Sequence, residues 1–163
     1  MALLTAAVSL LLLGGQAAQA KGRGSAARAA WLRTNYSKFE ARIPMRDGVK
    51  LFTAIYVPNR PGRFPLLVHR TPYGVAPYGA DRYRRTIGPS AALEKKGYIF
   101  VWQDVRGRYL SQGRFVNLRP MRAASRPKVA VDESTDAYDS IAWLLSRLAG
   151  RHNGRVGMVG ISY

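Results

Sequence analysis

The sequence predicts an α/β domain whose sheet starts antiparallel and turns parallel. Three observations carry that prediction. Two alternating segments, 39–44 and 49–57, flank the turn signal Arg46-Asp47-Gly48 and read as a hairpin. Two continuous apolar runs, 64–68 and 98–103, read as strands buried on both faces, with helical patterns after each. A third short apolar run, 155–160, leads into Ile161-Ser162-Tyr163. Strand, helix, strand, helix, strand after a hairpin is the order that right-handed crossovers build into a parallel sheet with helices on both faces.

The elements follow in order. Residues 1–20 are an uncharged apolar run, two glycines and Ala18-Gln19-Ala20 ahead of Lys21, the pattern of a secretory signal with a small-residue cleavage site. The protein is therefore expected to be secreted or periplasmic. That run falls short of the roughly 20 residues a membrane span needs, and no later stretch comes closer, so no integral span is expected. Residues 21–35 read as a flexible linker rich in Gly, Ala and Arg, and the folded part is expected to occupy 36–163. After the hairpin and the strand 64–68, His69-Arg70-Thr71-Pro72-Tyr73-Gly74 reads as a loop by its Pro and Gly. Ser90 caps a short helix over 91–96, and Gly97 stops it. The strand 98–103 opens into a long loop through 129, and a helix begins near Asp132, with Ala137, Ile141, Leu144 and Leu148 at helical spacing. Gly150 ends it, and His152-Asn153-Gly154 turns the chain into the last strand.

Composition removes several functions. At 163 residues and 47% apolar content the chain can bury a core, and with no cysteine it has no disulfide, thiolate metal site or cysteine nucleophile. A net charge of +17 invites nucleic acid or an anionic surface as partner. The basic residues are scattered, however, and 20 of the 26 are Arg, without the clustered face that binding of either needs. No nucleic-acid partner and no cofactor are expected; the oligomeric state is open.

Gly160-Ile161-Ser162-Tyr163 is the opening of a G-x-S-x-G nucleophile elbow, the strained strand-to-helix turn of α/β-hydrolases. That fold takes one oxyanion donor from the N–H after the nucleophile, here Tyr163, and another from the loop after the third strand, here 71–74. On the residues alone, Tyr73 reads as a surface turn residue. Asp104 and Arg106 read as loop-ordering rather than catalytic, and Asp132, Glu133, Asp136 and Asp139 as the solvated face of a helix start.

The ordered set Ile43-Pro44-Met45-Arg46-Asp47-Gly48-Val49-Lys50-Leu51, His69-Arg70-Thr71-Pro72-Tyr73-Gly74, Asp104-Val105-Arg106-Gly107-Arg108 with Ser111 and Gly113, Asn153-Gly154-Arg155-Val156-Gly157 and Gly160-Ile161-Ser162-Tyr163 resembles the CocE/NonD hydrolases. This is the group of cocaine esterases, α-amino-acid ester hydrolases and Xaa-Pro dipeptidyl-peptidases. The resemblance spans residues 36 to 163. It implies a serine hydrolase of esters or amides acting on a small-molecule or peptide substrate. It also implies that Ser162 is the nucleophile, with the Tyr163 N–H and the Tyr73 phenol as oxyanion donors.

A serine needs a histidine to take its proton, and this fold supplies Ser, then Asp or Glu, then His, in chain order. His69 and His152 both precede Ser162. The expectation is therefore an incomplete α/β-hydrolase domain, truncated at its elbow, poorly folded and without turnover by itself. Two other readings stand beside it: a non-catalytic relic of a hydrolase, and a basic nucleic-acid or anionic-surface binding module.

Overall fold

The computed structural model describes residues 26–117, 119–121 and 131–163; the signal pattern over 1–20 and part of the long loop, 122–130, lie outside the described residues. Five strands form one sheet in the order β1-β2-β4-β3-β5: β1 (Tyr36–Pro44), β2 (Lys50–Pro58), β3 (Phe64–Thr71), β4 (Ile99–Asp104) and β5 (His152–Met158). The hairpin β1–β2 is antiparallel, as is β2 with β4, whereas β3 runs parallel to both β4 and β5. This is the predicted change of direction.

Side chains alternate across β2 and divide the core into two layers. Leu51, Ile55 and Val57 join Leu66, Val68, Ile99 and Val101 beneath Leu144 of the helix α3 (Glu133–Arg147) and its C-cap Leu148. Phe52, Ala54 and Tyr56 face the other way, with Tyr36, Phe100 and Ile87. Burial on both faces is why β2 and β4 carry few charges.

The second layer has a helix that composition hides. Residues 26–35 are not linker but a helix, α1. The glycines stop at Gly24, and Ala26, Ala27, Ala29 and Ala30 are the strongest helix formers. Leu32 is fully buried, Trp31 packs edge-on against Tyr36, and Arg28 Nε donates to Glu94 Oε2 at 2.8 Å.

The short helix α2 (Ala91–Lys96) is as predicted: Ser90 accepts from the Leu93 N–H, and Gly97 is left-handed at φ 87. A Cβ at Gly97 would also meet Arg60 Nη2 and, at 3.1 Å, the Phe64 ring. Gly97→Ala is expected to cost about 1–2 kcal/mol, read as a lower denaturation midpoint at unchanged slope.

Two boundaries differ from expectation for one reason. The 69–71 stretch expected as loop continues β3, because His69, Arg70 and Thr71 still pair with Trp102, Gln103 and Asp104. The expected turn 152–154 belongs to β5, because His152 pairs with Phe64 across a register shift. A strand keeps its pattern as long as a neighbouring strand supplies partners, whatever the local polarity.

Candidate active site

The site forms where β3 and β5 end side by side. Val68 pairs with Met158, and the Val159 N–H donates to Val68 O at 2.9 Å, so the loops after the two strands leave the same sheet edge together. Ligands in parallel sheets bind there. Tyr73 stands on the first loop and Ser162 on the second. The Tyr73 hydroxyl donates to Ser162 Oγ at 3.2 Å.

Ser162 has φ 71, a left-handed backbone that an L-residue adopts only when the turn around it demands it. Gly160 shows the demand, since a Cβ there would run into the Tyr163 carbonyl oxygen. The Tyr163 phenol oxygen is buried beside Glu133 without an aligned hydrogen bond, and burial with that carboxylate pushes it up to about 12. Among the described residues one other non-glycine is left-handed: Tyr109, φ 47.

Neither histidine reaches the serine. His69 stacks on Trp102 at 4.1 Å between centroids, and burial followed by the Arg84 charge holds it below the usual imidazole range. It lines an apolar cavity of about 240 Å³ with Ile87, Phe100, Trp102 and Ile161. His152 Nδ1 accepts from the Gly154 N–H at 3.0 Å, which leaves the proton on Nε2, 2.9 Å from Leu145 O. It lies at the opposite end of β5 from Ser162.

Asp104 and Arg106 are structural, though not as a pair. The Asp104 carboxylate is fully buried and accepts from the Val75 N–H and the Tyr78 hydroxyl, both at 3.0 Å, and burial holds it above the usual carboxylate range. Arg106 bridges Asp47 at 2.7 Å and Asp136 at 2.6 Å.

That bridge corrects the reading of the helix start. Asp132 and Asp136 are 3% and 1% exposed, so the acids of α3 are not a solvated face. Asp132 caps the helix in a reciprocal pair with Thr135, Glu133 meets Arg70 at 3.1 Å, and Asp139 meets Arg46 at 2.8 Å. Their partners come from the hairpin turn, β3 and the loop after β4, which no local pattern reveals. Among the described residues no acidic or histidine cluster could hold a metal ion.

A sheet in the order 1-2-4-3-5, ending in a left-handed serine that faces a phenol from the β3 loop, defines a fold of the α/β-hydrolase type. The chain belongs to the X-Pro dipeptidyl-peptidase (S15) family, whose description matches residues 47–163. The cocaine esterase of Rhodococcus sp. (strain MB1 Bresler) is 35% identical over 132 residues, 79% of this chain and 20% of that protein. A solved α-amino acid ester hydrolase is similar with a TM-score of 0.64 and 41% identity, over 77% of this chain and 21% of that one. An aminopeptidase from the marine sediment archaeon Thaumarchaeota archaeon is similar with a TM-score of 0.65 and 36% identity, over 79% and 22%. The chain spans about a fifth of the length of these relatives. They agree with the CocE/NonD resemblance of its motifs.

Proposed function

We propose that these residues form the nucleophile half of a serine hydrolase acting on ester or amide bonds, the Xaa-Pro peptide bond included. The contact between Tyr73 Oη and Ser162 Oγ carries the reading. In it, a general base takes the Ser162 hydroxyl proton as Oγ attacks the acyl carbon, and the carbonyl oxygen takes up negative charge as its π bond opens. The Tyr73 phenol turns its proton from the serine to that oxygen, and the Tyr163 N–H supplies the second donor. A donor of this kind contributes about 3 kcal/mol to lowering the barrier. The relatives support the bond class: one is named an esterase, one an ester hydrolase and one an aminopeptidase. The amino-terminal pattern favours export.

A general base is the missing chemical function within these 163 residues, because His69 and His152 are both engaged elsewhere. The 163-residue polypeptide is therefore expected to show no turnover. The test uses the protein as its gene encodes it. A fluorophosphonate should leave its adduct on Ser162, found by peptide mass, while the 163-residue polypeptide stays unlabelled. Hydrolysis of p-nitrophenyl esters against Xaa-Pro p-nitroanilides then separates esterase from peptidase. Turnover with Ser162 unlabelled would sink the reading.

A further inference from the structure

We infer that the turn after β4 is a template that sets the position of the Tyr73 phenol, with Arg108 and Tyr109 as positioning residues. The inference rests on the proposed role of Tyr73 and says what holds it there.

Tyr73 itself is poorly held. Among the described residues it is 61% exposed, its backbone N–H donates to Thr71 Oγ1, and its hydroxyl hydrogen-bonds Ser162 alone. An exposed tyrosine on a loop samples several rotamers, and each one populated away from the serine subtracts from catalysis. Its direction must be set by the backbone on either side.

Both sides are gripped from one short turn. Arg108 Nε donates to the Pro72 carbonyl at 3.0 Å, on the residue before Tyr73. The Tyr109 ring lies on Gly74, the residue after it, so closely that a Cβ at Gly74 would sit 3.0 Å from the ring carbon bearing the hydroxyl. One residue further, Asp104 accepts the Val75 N–H. The contacts interlock: Arg108 also lies over the Tyr109 and Phe115 rings, at 5.4 and 5.2 Å.

The backbone of Tyr109 points to the same conclusion. At φ 47 it holds a left-handed conformation that costs an L-residue and that glycine would adopt without penalty. Its ring meets the Gly74 backbone position rather than the core clusters among the described residues. What the strained backbone achieves is to lay an aromatic ring on Gly74.

The test is a double-mutant cycle in the protein as its gene encodes it, with kcat and KM read separately. Tyr109→Ala is expected to lower kcat about tenfold to a hundredfold with KM within about twofold, and Tyr109→Phe, which keeps the ring, to restore kcat. In a Tyr73→Phe background, where no hydroxyl remains to be positioned, Tyr109→Ala should change kcat less than about twofold. If melting shows that Tyr109→Ala has lost its fold, Arg108→Gln, which frees the Pro72 carbonyl, carries the same cycle. Equal losses in both backgrounds, or a change confined to KM, would overturn the inference. A Tyr73→Phe enzyme with undiminished kcat would instead refute the role of Tyr73, a separate failure.

Discussion

Ser162→Ala is expected to lower kcat for ester or Xaa-Pro amide hydrolysis by about 10⁴-fold or more, in the protein as its gene encodes it. Removing Oγ removes the atom proposed to form the acyl bond, and the Tyr73 hydroxyl then faces a methyl group. Stability should respond in the opposite sense in a companion variant. Ser162→Gly relieves the left-handed backbone at φ 71 and should gain about 1–2 kcal/mol in chemical denaturation while being equally inactive. Ser162→Ala, which keeps a Cβ at that φ, should not gain. Residual kcat above a tenth in either variant would place the nucleophile elsewhere.

Asp136→Ala is expected to cost about 3–5 kcal/mol, the largest loss from any single substitution in the sheet–helix attachment. Asp136 is 1% exposed and takes two hydrogen bonds from Arg106, at 2.9 and 2.6 Å, while Arg70 Nη2 stands 3.9 Å away. Without it, two arginines that are themselves 4% and 7% exposed keep their charge with less to compensate it. Asp47→Ala removes the other carboxylate on Arg106, but Asp47 is partly in solvent, so about 1 kcal/mol is expected. Urea denaturation of the two variants gives the order, and a smaller loss at Asp136 than at Asp47 would refute it.

Acid should act on the same attachment. Burial raises Asp47, but the hydrogen bonds and charge of Arg106 together with the Val49 and Asp47 backbone N–H groups outweigh it and leave it below the usual carboxylate range; the hydrogen bond from Arg46 leads the lowering of Asp139. A depressed carboxylate contributes stability above its unfolded-state value and loses it as pH falls through the folded one. Loosening of α3 therefore belongs below the ordinary carboxylate range, with little change above it.

What could be read from the sequence was local. Ser90 and Gly97 bracket α2 because a cap needs a hydroxyl three residues before the N–H it accepts, and a stop needs a left-handed residue. Gly160 and Ser162 were legible for the same reason, as a turn of four residues. Tyr73 was not: a Pro-Tyr-Gly loop has an ordinary turn composition, and only the resemblance singled it out. The acids of α3 were misread because their partners lie up to 93 residues away, as between Arg46 and Asp139. Alanine-rich α1 was missed because flanking glycines gave the whole stretch the composition of a linker.

The strand order has a consequence for synthesis. β3 lies between β4 and β5, both later in the chain, so it leaves the ribosome before either of its neighbours exists. Its first partner is complete only roughly 30 residues later, a delay of about 2–7 seconds at ordinary translation rates. During that interval Phe64–Thr71 is a nascent strand with two bare edges and an apolar surface, and β1 and β2 can already pair with each other without protecting it.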